Sequence, residues 1–490
     1  MFILREDRSN MQLILRLRFT FFVSLMLCAA SLSPLYASDF KVRLTSQPQT
    51  LNWNSATTGS ESAIILNIME GLFEIGRDQK PKPLLAKNFS WSKDGKTLEI
   101  DLKPGLKWAD GAPLQARHFV DSFENLLNPS SNSPNASLLF DVESAKDYFL
   151  GKIKNFQQVG VKATSSTHLT LRFQEPRINF LSVLTHWATF PFRKDKPSIT
   201  LGPYQITSLI PITLQINPHY HGKKPTIAKV IFQVIPDHHL ALEAYQKNEL
   251  DYLLHVQDEN LPGVGFAEPI RVVGLLHFNP LRTHTNSPEV RRAIMRNIMT
   301  KTLVMSNPLT RLPALNLLPM LSQNLSVESS NASLGKIPDS PLTLGYPNDD
   351  LSRSVATTIQ SSTDKIKIKI EPLPAAFGAA KRYDLVLSFF GLDYSEPDQF
   401  FSSFFAQGGL DFFDVSSPEL VQIIKKARLS SNEHERLSLY HDAADYLQNK
   451  LSIVMPLFYR RRAFLLSPKF THLPGFQGSP QIIKIHSKRS

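Results

Sequence analysis

The sequence predicts an α/β fold of the mixed α+β kind, and three observations predict it. Segments of strand alternation interleave with segments of helical spacing along the whole chain, and no internal repeat is present. The 490 residues suffice for about two to four domains with sizeable cores. A content of 42% hydrophobic and 20% charged residues is globular, neither disordered nor collagenous.

The elements follow in order. Residues 39–46 alternate as a strand, with Val42 and Leu44 on one face. Residues 61–73 place Ile64, Ile65, Ile68, Met69, Leu72 and Phe73 at helical spacing. A strand over 96–103 ends at the turn Pro104-Gly105, and a helix over 116–127 carries Phe119, Val120, Phe123, Leu126 and Leu127. A polar loop fills 128–137, and 159–163 and 168–173 read as short strands. The middle is strand-rich at 204–208, 213–217 and 229–236, followed by helices over 239–247 and 288–305. A Ser- and Asn-rich linker occupies 322–341. Next come a strand at 342–346, a helix over 351–361, strands at 366–371 and 383–390, and helices over 418–428 and 433–450. A last strand, 453–459, leads into a basic tail.

Charge and cysteine content exclude several classes. Lys+Arg 54 against Asp+Glu 43 gives +11. Of this, +2 lies in residues 1–37, and the rest is spread along the chain. A nucleic-acid binder concentrates its charge on a stripe or tail, so no nucleic-acid partner is expected. Cys28 is the only cysteine, which excludes an intramolecular disulfide and a cysteine metal cluster.

The N-terminus reads as a cleavable export signal. Arg16 and Arg18 precede the apolar run 19–33, and Ala37 offers a small residue for cleavage. The run is short for a spanning helix, which needs about 20 apolar residues. Translation from Met11 would give a more ordinary signal than translation from Met1. Leu27 stands before Cys28 where a lipid-acceptor site wants a small residue. The expected mature protein is periplasmic and starts at Ser38.

Motifs for enzymatic chemistry fail on inspection. Gly95-Lys96-Thr97 ends like a P-loop, but Ser90 stands where its first glycine is needed. Ser333-Leu334-Gly335-Lys336 fits Ser-x-x-Lys in a polar loop without a Lys-Thr-Gly partner. His434 and His441 share a helical face near Asp442 and Asp445, but one face supplies only part of a metal shell. No catalytic constellation, cofactor or metal site is expected, and the chain reads as a non-enzyme.

Eight blocks occur in order over 39–465. They are Thr50-Leu51-Asn52 with Ile68-Met69-Glu70-Gly71-Leu72-Phe73, Pro83–Ala86 with Trp91–Thr97, and Leu102-Lys103-Pro104-Gly105-Leu106-Lys107-Trp108-Ala109-Asp110-Gly111-Ala112-Pro113-Leu114. Gly202-Pro203-Tyr204 with Asn217–Tyr220, Asn248–Asp251, and Phe278-Asn279 with Val290–Ile294 follow. Asp393-Tyr394-Ser395-Glu396-Pro397 and Leu451–Tyr459 complete the series. Together they resemble the extracellular solute-binding proteins, family 5, of peptide and nickel ABC importers. Trp108, Pro104 and Gly111 read as a hairpin with its core packing, and Val290–Ile294 as a buried helix stripe.

The resemblance implies a two-lobed, three-domain periplasmic-binding-protein fold of the class II-like "Venus flytrap" kind. Lobe one would comprise 38–69, 190–275 and 463–490, with a domain inserted over 70–189, and lobe two 276–462. It implies a monomer that takes short peptides and hands them to the membrane permease subunits of an ABC transporter. The implied ligand contacts are Asp393, Tyr394, Gly391, Phe390, Thr58, Gly59, Ser60 and Asn135, with Asp393 meeting the peptide α-amino group. There are departures from the family pattern, of which the one at His118 is expected to change only a local cap or contact and the others bear on the pocket. His118 replaces the family's acidic residue, Asn135 and Phe390 stand where oligopeptide binders carry Tyr and Trp, and Leu387 stands where some carry Arg. A nickel chelate, haem or sugar on the same fold, or an exported chaperone or hydrolase, are the alternatives.

Overall fold

The structure is a computed structural model. It describes residues 39–254, 256, 261–318, 335–363, 365–374, 378–392, 396–405, 412–413, 417–473 and 481–488, without the side chains of 268–271 and 402–405. The signal-peptide reading, including Cys28, lies outside the described residues.

One mixed sheet runs through the molecule. Its strand order is Ile368–Pro372, Leu342–Tyr346, Leu385–Gly391, Val264–Phe278, Val454–Leu466, Tyr252–Leu254, Phe40–Leu44, Lys229–Val234, Ile212–Ile216 and Tyr204–Leu209. Arg311–Leu312 pairs with Val454–Leu466 at one side. A separate antiparallel sheet orders Ala86–Trp91, Thr97–Leu102, His168–Arg172 and Val161–Ala163.

The hydrophobic cores divide the chain into two lobes. One core runs from Phe40 to Phe232 and takes in Phe464, Phe470, Ile482 and Ile485 from the C-terminus. Two others, between Val273 and Tyr459, flank the far half of the large sheet. Val264–Phe278 and Val454–Leu466 carry the sheet from one half to the other. They pair over 264–267 with 462–465 and over 272–277 with 454–460, with a register shift between.

Most predicted elements lie where the periodicity puts them, three differ in extent as follows, and several observed ones, Val264–Phe278 among them, were not expected. The helix expected over 61–73 is Gly59–Ile68, because the Ile68 carbonyl accepts the N–H groups of Leu201 and Gly202 at 3.0 and 2.8 Å. A Cβ on Gly202 would lie 2.7 Å from the Ile68 carbonyl carbon, so that approach needs glycine. The helix expected over 288–305 is two, Pro288–Asn297 and Thr300–Met305. The last strand continues beyond Tyr459 through Arg460–Arg462 to Leu466, so those arginines belong to the sheet and not to a tail. Val264–Phe278 was not expected as a strand: Gly265, Pro269 and Gly274 interrupt its alternation.

The hairpin reading of Trp108 holds. Its N–H donates to the Ala112 carbonyl at 2.8 Å, Gly111 has φ +84°, and the indole is fully buried. The indole Nε1 donates to His118 Nδ1 at 3.2 Å, and the Gln115 N–H donates to the same nitrogen at 3.0 Å. Burial, with Arg193 and Arg117 nearby, lowers the His118 pKa to about 4, which keeps the ring a neutral acceptor.

Candidate ligand-binding site

The expected contact residues fall into two groups, one on each lobe. On the first lobe the loop Gln49–Thr58 leads into the Gly59–Ile68 helix, with Thr57, Thr58 and Gly59 exposed. Thr58 is the N-cap, its Oγ1 accepting the Glu61 N–H at 3.2 Å. Glu61 answers through Oε2, which accepts the N–H groups of Thr57 at 2.8 Å and Thr58 at 2.9 Å. Its Oε1 accepts those of Gln49 at 3.1 Å and Thr50 at 3.2 Å. Burial would raise the Glu61 pKa, but these backbone donors outweigh it and hold the carboxylate ionised.

Ser60 and Asn135 support this loop. Ser60 is buried, and its Oγ accepts the Ser46 N–H at 3.2 Å and lies 3.1 Å from Ser46 Oγ. Asn135 Nδ2 donates to the Asn54 and Ala56 carbonyls at 3.1 and 3.0 Å. Trp187 Nε1 donates to the same Ala56 carbonyl at 3.2 Å. Asn54 in turn donates to Ser122 Oγ at 3.0 Å and to the Ala188 carbonyl at 2.7 Å. The amide and indole thus turn Ala56 inward and leave Thr57–Gly59 facing outward.

On the second lobe Phe390 and Gly391 end the strand Leu385–Gly391. One edge pairs with Val272–Phe278 along its whole length. The other pairs with Leu344 and Gly345 only at Leu385 and Val386, so Leu387–Gly391 carries an edge without a strand partner among the described residues. Phe390 is half-buried edge-to-face on Phe400, with centroids 5.1 Å apart. On the neighbouring strand His277 Nε2 lies 2.8 Å from Ser388 Oγ, and burial lowers the imidazole pKa to about 3. Asp393 and Tyr394 lie outside the described residues. Glu396 follows them, and Arg436 Nη2 donates to its Oε1 at 3.1 Å.

Glu61, Trp187 and His277 were missed in the sequence. The Glu61 role was readable, since Thr58-Gly59-Ser60-Glu61 fits the capping-box pattern of Thr, two residues, then Glu. No local signal marks Trp187 or His277. Among the described residues no helix is long and apolar enough to cross a membrane, and no cluster of three or more metal-ligating side chains occurs.

Comparison with known proteins bears out the family resemblance. The profile of the bacterial extracellular solute-binding proteins, family 5 (middle), matches residues 80–305. The dipeptide-binding protein DppE of Bacillus subtilis is 24% identical over 451 residues, covering 81% of this chain and 82% of that one. The periplasmic oligopeptide-binding protein OppA of Escherichia coli is 24% identical over 479 residues, covering 86% and 87%. The solved Escherichia coli murein tripeptide binding protein MppA superposes with a TM-score of 0.77 at 20% identity, over 93% of this chain and all of that one. The two-lobed fold of these binding proteins is the fold of this chain.

Proposed function

We propose, from the premise that residues 80–305 carry the middle region of the family 5 solute-binding proteins, that this chain captures short peptides between its lobes. It would deliver them from the periplasm to the permease subunits of an ABC importer, acting as a monomer and without catalysis. The domain limits given above belong to the same reading. The observation that carries it is the edge of Leu387–Gly391, which has no strand partner among the described residues and is partly exposed at Phe389–Gly391. A peptide laid along such an edge gains main-chain hydrogen bonds whatever its side chains, which is how β-augmentation binds. Asp393 comes two residues after that strand in the sequence and would take the α-amino group. Thr57–Gly59, exposed and held from behind, would meet the peptide from the other lobe, with Ser60 and Asn135 acting through the loop they support.

The test is ligand-dependent stabilisation of the mature protein. A ligand bound only by the folded state adds about 2.7 kcal/mol at a hundredfold excess over Kd. A short-peptide library is expected to raise the melting temperature and compact the protein in small-angle scattering. A response to a nickel chelate, haem or a sugar with none to peptides would replace the peptide reading. Turnover of any library member would replace the non-enzyme one.

A further inference from the structure

We infer that Asp141, Arg177, Asp398 and Arg428 form an interlobe latch, a closed ring of alternating charge to which each lobe gives one acid and one base. In this ring Arg177 and Asp398 are positioning residues for ligand capture. Asp141 and Arg177 belong to the first lobe, beside the core residues Val142 and Phe180. Asp398 opens the helix Asp398–Phe405, and Arg428 lies at the end of the helix Pro418–Leu429, both packed in the second lobe's core.

Within the first lobe Arg177 Nε donates to Asp141 Oδ2 at 2.8 Å, and its Nη1 donates to Asn179 Oδ1. Within the second, Arg428 Nε donates to Asp398 Oδ1 at 2.6 Å, and Tyr440 donates to the same oxygen at 3.0 Å. Two contacts cross between the lobes. Arg177 Nη2 donates to Asp398 Oδ2, and Arg428 Nη1 lies 3.8 Å from Asp141 Oδ1. The side chains of Arg177 and Asp398 are only 5% and 2% exposed, so water is excluded from the central pair. Burial would raise the Asp398 pKa, but Arg177 and Arg428 hold it well below the usual carboxylate range.

The arrangement suits a contact that must open. Removing one partner of a buried ion pair normally strands the other charge. Here separation leaves Arg177 with Asp141 and Asp398 with Arg428, so each lobe keeps a neutral pair. A permanent interface would not need that duplication. In sequence, Asp398 follows the Asp393–Pro397 segment that carries the amino-anchor proposal. Outside the ring, Lys80 and Glu433 make a further crossing at 2.7 Å, but both are more than half exposed, so solvent screens them.

The inference rests on the two-lobed fold and not on the ligand's identity. The mature chain has no cysteine, so Lys162→Cys and Lys365→Cys, one on each lobe, can carry a fluorophore pair. Arg177→Met and Asp398→Asn are expected to lengthen the ligand-free interlobe distance and enlarge the radius of gyration, whereas Lys80→Ala leaves both as in wild type. With trialanine as probe, both ring variants are expected to speed dissociation about tenfold, most affinity change lying in the off-rate. The double variant should lose less than the two singles combined. If Arg177→Met does not fold, the isosteric Asp398→Asn decides. Folded ring variants with wild-type interlobe distance overturn the latch, whatever trialanine does. A lengthened distance with no trialanine binding by wild type supports the latch and counts against the peptide reading alone.

Discussion

Thr58 and Glu61 cap one another: the threonine hydroxyl accepts the Glu61 N–H at 3.2 Å, and the Glu61 carboxylate accepts the Thr58 N–H at 2.9 Å. Because the same carboxylate also takes the N–H groups of Gln49, Thr50 and Thr57, one side chain fixes both ends of the loop that presents Thr57–Gly59. Glu61→Gln keeps the shape but removes the charge. Hydrogen bonds to a charged group are worth about 1.5–3 kcal/mol, and we expect a loss of that order at neutral pH by chemical denaturation. The folded pKa is depressed, so this stability is present above the unfolded value and is lost as pH falls through the folded one. Wild type and variant should therefore converge in acid. A constant gap from pH 7 down to pH 3 would count against the charged-cap account.

Glu70 should give the opposite pH dependence. It is buried, Tyr220 donates to its Oε1 at 2.6 Å, and His221 Nε2 stands 3.4 Å from Oε2. Burial pushes its pKa from 4.5 up to about 7, against the Tyr220 hydrogen bond. The folded state thus holds the proton more tightly than the unfolded chain. Its contribution is fully present below 4.5 and is lost as pH rises through about 7. The loss is on the order of 3 kcal/mol at 1.36 kcal/mol per unit. Glu70→Gln should match wild type near pH 4 and exceed it at pH 8. Equal stabilities at pH 8, measured by urea unfolding, would show Glu70 ionised without penalty.

Two glycines offer a way to block a ligand without touching the core. A Cβ on Gly59 meets nothing within 4 Å, and one on Gly391 meets only Val272 Cγ2 at 3.8 Å. Gly59→Val and Gly391→Val should leave the melting temperature within a degree or two. If a peptide main chain passes there, each should weaken binding about tenfold or more, a loss of about 1.4 kcal/mol. Unchanged titration calorimetry in both variants would place the ligand elsewhere.

Asp393 carries the amino-anchor proposal. Removing one partner of a buried ion pair costs roughly 3–5 kcal/mol. Asp393→Asn should therefore weaken short-peptide binding on the order of 10²–10³-fold, with little change in ligand-free stability. N-acetylated peptides should bind wild type as weakly as free peptides bind the variant. Equal affinity of wild type for acetylated and free peptides would reduce Asp393 to a structural cap.

Export is tested by the mature N-terminus. Edman sequencing of periplasmic protein should begin at Ser38. A product that retains the apolar run 19–33, or carries lipid on Cys28, would contradict cleavage after Ala37.

The amino-acid sequence by itself determined the class of fold and the family resemblance. Regular alternation and helical spacing are local properties, so Phe40–Leu44, Thr97–Leu102, Arg117–Leu127 and Leu342–Tyr346 were legible residue by residue. The ordered blocks from Thr50 to Tyr459 were legible as a resemblance for the same reason: each is a short run read in place. Tertiary structure alone decided where the Gly59–Ile68 helix stops, since the carbonyl that ends it is taken by Leu201 and Gly202 from far along the chain. It alone made Val264–Phe278 a strand, because pairing with Val454–Leu466 and Leu385–Gly391 overrides the Gly and Pro that spoil its pattern. It also turned Ser60 and Asn135 inward as supports. The same holds for the ring of Asp141, Arg177, Asp398 and Arg428, whose members lie up to 287 positions apart by their numbers. Contacts of that kind depend on where the lobes meet, and no local pattern encodes the meeting of two surfaces.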